Sequence, residues 1–78
     1  MLQLQRLSLL QAGQTATVQA IHTDTNGFHF RLNALGFRAG KELLVIRIAP
    51  LKGPMHLRLG NTEVMLRQED ANMIEVLA

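Results

Sequence analysis

From Thr15 to Ile21, Ala16 and Val18 alternate with Thr15, Thr17 and Gln19. This is the period-two pattern of a strand with one buried face, and it slips before Ile21 in the manner of a β-bulge. The run "TDTNG" then supplies turn and cap residues ahead of "FHFRLNALGF", where Phe28, Leu32 and Leu35 fall at i, i+4 and i+7. That spacing predicts one short amphipathic helix. Gly36 is placed to take the left-handed position just past its end, with Phe37 folding back on the last turn. Ala39 and Gly40 turn the chain into a β-rich run, Leu43 to Ala49, that stops at Pro50.

Met55, Leu57 and Leu59 alternate with His56 and Arg58, and Val64 and Leu66 alternate with Glu63 and Met65. Between these two strands stand Gly60 and Asn61, which both tolerate the positive φ of a two-residue hairpin turn. Near the N-terminus, Leu7 and Leu10 suit a single helical turn plugging one end of a barrel, and Gln68 to Asn72 suit another that buries Ala71. Ile74 and Val76 form a closing strand around exposed Glu75. The pattern predicts a mainly β fold: a small five-stranded barrel, one short helix after the first strand, and short helical turns near both ends.

One strand departs from simple alternation. Leu43 and Val45 lie on one parity of the Leu43–Ala49 run, and Leu44, Ile46 and Ile48 on the other. A barrel has one inside, so two expectations stand side by side. Either the side chains of one parity are exposed, or bulges and the N-terminal segment bury most of them.

Composition narrows the picture. A chain of 78 residues reads as one domain, residues 1–78, and 47% apolar content with only three aromatics, all Phe, means a small core of aliphatic side chains. No deep substrate cavity fits inside it. With no cysteine, disulfides, thiolate metal sites and a thiol nucleophile are excluded. The pI near 10.0 suggests nucleic acid until it is set beside a net charge of only +2. Without Cys or Tyr little titrates between His and Lys, so a small positive excess persists to high pH.

The longest apolar run, Leu43 to Ile46, is far short of the roughly 20 residues that span a bilayer. The opening "MLQLQRLSLLQAG" lacks the apolar core and basic start of a signal peptide. The expected location is cytoplasmic.

Candidate chemistry is sparse. His22, His29 and His56 are scattered, with no cluster of Asp, Glu or Cys to complete a coordination sphere, so no metal or cofactor is expected. Ser8 is the only serine, no phosphate-cradling loop is present, and no nucleophile has a positioned base; no catalytic residue and no enzyme activity are expected. Arg31, Arg38, Arg47, Arg58 and Arg67 are each able in principle to reach a partner's nucleotide, and each reads equally well as a solvated side chain. Phe30 alone is a poor stacking platform for nucleic acid, because Phe28 belongs to the helix's core stripe.

Three stretches, "RLNALGFRAG", "IAPLKGPMHLRL" and "VMLRQEDANMIEV", resemble the FeoA family in order and spacing across nearly the whole chain. "LGFRAG" is similar to the family's Leu-Gly-hydrophobic-x-Pro-Gly, with Ala39 where Pro is usual. "APLKGP" is similar to Ala-Pro-Leu-Gly-Asp-Pro, with Lys52 and Gly53 in place of Gly-Asp. The resemblance implies a cytoplasmic SH3-like barrel that accompanies the ferrous iron transporter FeoB, whose cytosolic end carries a GTP-hydrolysing domain. Such a chain would reach the membrane only through that partner. The family usually places polar residues near Leu9, Leu44 and Ile48, so the resemblance implies that these, with Leu2, Leu4 and Met65, form an exposed apolar patch serving a homo-oligomer or a partner unless bulges and the N-terminal segment bury them. The same barrel ends some iron-dependent repressors, so a regulatory or nucleic-acid-binding barrel is the alternative. No helix-turn-helix or separate metal-binding domain accompanies it in these 78 residues.

The prolines give the resemblance a candidate surface. Pro50 and Pro54 fix φ and remove N–H donors, so Leu51, Lys52 and Gly53 between them form a stiffened loop with little entropy to lose on binding. They also suit an edge strand guarded against wrong pairing, and both readings stand at this point. The partner-binding expectation comprises Leu35, Gly36, Phe37 and Arg38 together with Pro50, Leu51, Lys52, Gly53 and Pro54.

Overall fold

The computed structural model describes residues 1–78. Its elements are β1 (Leu4–Arg6), a 3-10 turn (Leu7–Leu9), β2 (Thr15–Ile21), α1 (Asn26–Ala34), β3 (Glu42–Ile48), β4 (Met55–Leu59), β5 (Thr62–Leu66), α2 (Gln68–Ala71) and β6 (Ile74–Leu77). All strand pairs are antiparallel, in one six-stranded sheet of order β1-β6-β2-β3-β4-β5. The five expected strands are present, and β1 is a sixth. Leu2 and Leu4 alternating with Gln3 and Gln5 is itself a strand period. Its backbone pairs with β6, and the ladder is prolonged by Gln3 N–H to the Ala78 carbonyl (2.7 Å) and Ala78 N–H to that of Gln3 (3.0 Å).

The core consists of 15 buried residues, every one apolar, drawn from strands β2 to β6, from α1, from both helical turns, and from Leu10 and Phe37 in the connections. Leu7 plugs one end as the sequence suggests, and Ala71 of α2 is fully enclosed. No polar residue is among them, and one guanidinium nitrogen of half-buried Arg6 is the single enclosed side-chain polar atom without a partner, so packing of Leu, Val, Ile, Met, Ala and one Phe dominates the interior. No helix is long and apolar enough to cross a membrane.

Bulges resolve the parity conflict in β3. Val45 pairs with Leu57, but the next partners are Arg47 with His56 and Ile48 with Met55, so Ile46 is the extra residue. Before the bulge Leu43 and Val45 face inward; after it, Ile48 does, and it packs against the core. The expected apolar patch is therefore smaller than the full list: Ile48 and Leu44 are half-buried, whereas Leu2, Leu4, Leu9 and Met65 are exposed. A second bulge in β2, between Val18 and Ala20, matches the slip read before Ile21.

Helix α1 ends as its sequence predicts. Gly36 takes φ +110°, its N–H donates to the Asn33 carbonyl (3.0 Å), and the Phe37 N–H donates to that of Leu32 (3.0 Å). These are the two bonds of a Schellman ending, with Phe37 sealed in the core. The apolar stripe is narrower than expected. Leu32 is buried and Phe28 half-buried, but Leu35, the last residue with helical backbone, is 40% exposed because the turn lifts it off the core.

Candidate docking site

The loop between β3 and β4 is tighter than its prolines alone require. Gly53 N–H donates to the Pro50 carbonyl (3.1 Å), closing a four-residue turn whose central residues, Leu51 and Lys52, both have positive φ, 59° and 55°. Two left-handed residues in succession define a type I′ turn, for which Asn-Gly is the ordinary choice. Leu and Lys there are strained by about 1–2 kcal/mol each.

The surroundings hold the strain in place. Ala49 N–H donates to the Pro54 carbonyl (3.0 Å), and the Gln68 side-chain amide of α2 donates to the Gly53 carbonyl (3.1 Å). A Cβ on Gly53 would lie 2.8 Å from that of Ala49, so only glycine closes the loop without displacement. The result is a rigid tip carrying Leu51 at 100% exposure. The strain lies in the left-handed backbone, which the bracing contacts over-determine, and it holds the Leu51 side chain out in solvent.

The other expected residues occupy a different place. Leu35, Gly36 and Arg38 line an open groove of about 690 Å³, together with Lys41 at the start of β3 and Gly60–Thr62 of the β4–β5 turn. A Cβ on Gly36 would stand 3.9 Å from the Leu59 side chain, which is almost fully buried beneath the groove. Phe37 lies at 0% exposure and supports the turn from beneath, so it contacts no partner directly. Leu43 pairs with Leu59 near the groove, and Ile48 with Met55 near the loop. The two sets thus stand at opposite ends of the β3–β4 hairpin, about 20 Å apart by strand rise.

Sequence reading missed Lys41, Gly60 and Asn61 as groove residues. The signal was available: folding Leu43–Ile48 back onto Met55–Leu59 brings Lys41 beside the Gly60 turn. That turn takes positive φ at Gly60 alone (61°), not at Asn61 as well.

Each histidine has a partner rather than standing free in solvent. His56 meets Glu63 at 2.7 Å, His22 meets Glu75 at 3.5 Å, and the His29 ring meets the Asn33 amide at 2.8 Å. No three metal-ligating side chains of the His, Cys, Asp or Glu type come together. Among the arginines, Arg58 pairs with Glu63, Arg67 with Glu69 and Asp70, and Arg31 lies over the Phe28 ring at 5.4 Å.

This geometry can be set beside known proteins. Residues 5–78 match the model of the FeoA domain. Over 72 residues the chain is 39% identical to the Fe(2+) transport protein A/Fe(2+) transporter FeoB fusion protein of Porphyromonas gingivalis (strain ATCC BAA-308 / W83). The match takes in 91% of this chain and spans only 8% of that much longer relative.

The crystal structure of Stenotrophomonas maltophilia FeoA complexed with zinc, a prokaryotic SH3 domain protein, superimposes with a TM-score of 0.81 at 27% identity. The likeness covers 92% of this chain and 88% of that one. A manganese-dependent transcriptional repressor shares the fold at a TM-score of 0.88 and 19% identity, over all of this chain and 43% of its own. With a domain match that runs almost from end to end and the SH3-like barrel it entails, this chain belongs to the FeoA family.

Proposed function

We propose that this protein is a non-enzymatic accessory of ferrous iron uptake that docks on the cytosolic part of FeoB and influences its assembly or GTP cycle. The observation that carries the reading is the covalent joining of an FeoA segment to FeoB in the 39% identical relative. Two modules joined in one chain meet at a high effective concentration, which is useful where they must touch to work. In this protein the docking contact would be Leu51 on its braced turn, with Lys52 beside it and Leu35 and Arg38 at the far end of the hairpin.

A preorganised loop loses little entropy on binding, and a fully exposed leucine entering an apolar pocket contributes up to about 1.5–3 kcal/mol. Docking would hold the protein at the inner face of the membrane through its partner. The likeness to the repressor lies at the level of the barrel and supports no separate role.

The test is complementation of ferrous uptake in cells lacking this chain. Wild-type protein is expected to restore iron accumulation, and Leu51→Glu, expressed at the same level, is expected to restore far less. Equal rescue by both would remove the loop from the account.

A further inference from the structure

The groove at the α1–β3 turn carries unmatched charge. Arg58 and Arg67 have carboxylates beside them and Arg31 lies on a ring, whereas Arg38 and Lys41, like Arg6, Arg47 and Lys52, have neither an ion pair nor an aromatic partner, and Arg38 and Lys41 line one groove together. None of the 11 residues lining the groove is acidic. Lys41 reaches the facing turn, its Nζ 3.7 Å from where a Cβ on Gly60 would stand, an ordinary van der Waals separation.

Backbone donors add to the same character. Arg38, Gly40 and Lys41 donate their N–H groups to the carbonyls of Gly36, Val18 and Arg38, but the N–H of Ala39 between them meets no backbone carbonyl or side-chain acceptor. Beside these donors stands the 40% exposed Leu35, with the edge of core residue Leu59 at the groove's base. No aromatic side chain lines the groove, which disfavours stacked bases, and the exposed leucine has no counterpart in a bare phosphate.

From this charge and apolar complementarity we infer that the groove takes an acidic segment of a protein partner. One carboxylate sits between Arg38 and Lys41, and an adjacent apolar side chain rests against Leu35 and the edge of Leu59. The inference rests on the FeoB reading for the identity of that partner, and on the groove alone for the chemistry of the segment.

The test uses the full chain, labelled with nitrogen-15, and a blocked pentapeptide Leu-Glu-Leu-Asp-Leu, with Leu-Gln-Leu-Asn-Leu as the neutral counterpart. The acidic peptide is expected to shift the amides of Leu35, Gly36, Arg38–Lys41 and Gly60–Thr62, and to bind more weakly as salt is raised. Arg38→Gln is expected to weaken it about threefold and Arg38→Gln with Lys41→Gln about tenfold, the scale of exposed charge pairs. Leu51→Glu, at the other end of the hairpin, is expected to leave it unchanged.

Equal shifts from the neutral peptide, the same shifts with the same affinity from inorganic phosphate, or indifference to the double substitution would each overturn the inference. A parallel titration with the cytosolic part of FeoB separates the two readings. If wild-type protein binds FeoB and the double variant binds equally well, the groove inference falls while docking stands. If the peptide binds and FeoB does not, the groove chemistry stands and the FeoB reading falls.

Discussion

Leu51 and Lys52 are the residues whose conformation departs most from their type. A left-handed backbone is easy for glycine and costly for side chains with a Cβ, so the type I′ turn at Pro50–Gly53 stores energy that a better sequence would release. Lys52→Gly is therefore expected to stabilise the protein by about 1 kcal/mol, raising Tm by about 4–8 °C in a domain of this size. Gly53→Ala is expected to act in the opposite sense, losing about 1–3 kcal/mol as its Cβ meets that of Ala49. Thermal melts of the two variants give both signs in one experiment. The glycines at 36 and 60 were legible in the sequence because glycine marks positive φ. Leu51 and Lys52 were not, since nothing in a Leu-Lys pair announces a left-handed turn. Phe37 was legible as a helix-end contact, but its complete burial depends on the barrel beneath it.

At the level of elements, the β3 bulge decides which aliphatic side chains belong to the core. Ile48, turned inward opposite Met55, packs on the core cluster, whereas Leu44 does not. Ile48→Ala is expected to cost about 1–2.5 kcal/mol, part of the range for a fully buried site, and Leu44→Ala less than about 1. Urea unfolding with a common slope measures the difference. Equal costs would place the two side chains in equivalent surroundings and contradict the bulge. Period-two alternation made β2, β4, β5 and β6 readable, and the Gly60 turn fixed the β4–β5 register. The same alternation runs through Leu2–Gln5, but β1 is a three-residue edge strand whose one leucine is exposed, and it reads as surface until β6 is there to pair with it. Helix α1 ends where Gly36 places it but starts at Asn26, inside the stretch expected to be turn and cap. Its stripe was overdrawn at Leu35, which lines the groove instead of entering the core.

Across the whole molecule, the barrel closes on a core of 15 apolar residues, and the residues proposed for docking lie at the two ends of the β3–β4 hairpin. The resemblance of the motifs located both ends, but the expectation of a single surface did not survive folding, because β3 separates Leu35–Arg38 from Pro50–Pro54. A partner that touches both must span about 20 Å, and one that touches a single end leaves the other free for a second contact. The most direct test of the account is a binding titration of the full protein against the solubilised FeoB of the same organism, with and without a GTP analogue, for wild type and Leu51→Glu. The account predicts saturable binding by the wild type that Leu51→Glu weakens at least tenfold, the loss of about 1.4 kcal/mol expected when a charge enters an apolar contact. Absence of binding in both nucleotide states would contradict it and return the braced loop to the role of guarding a strand end.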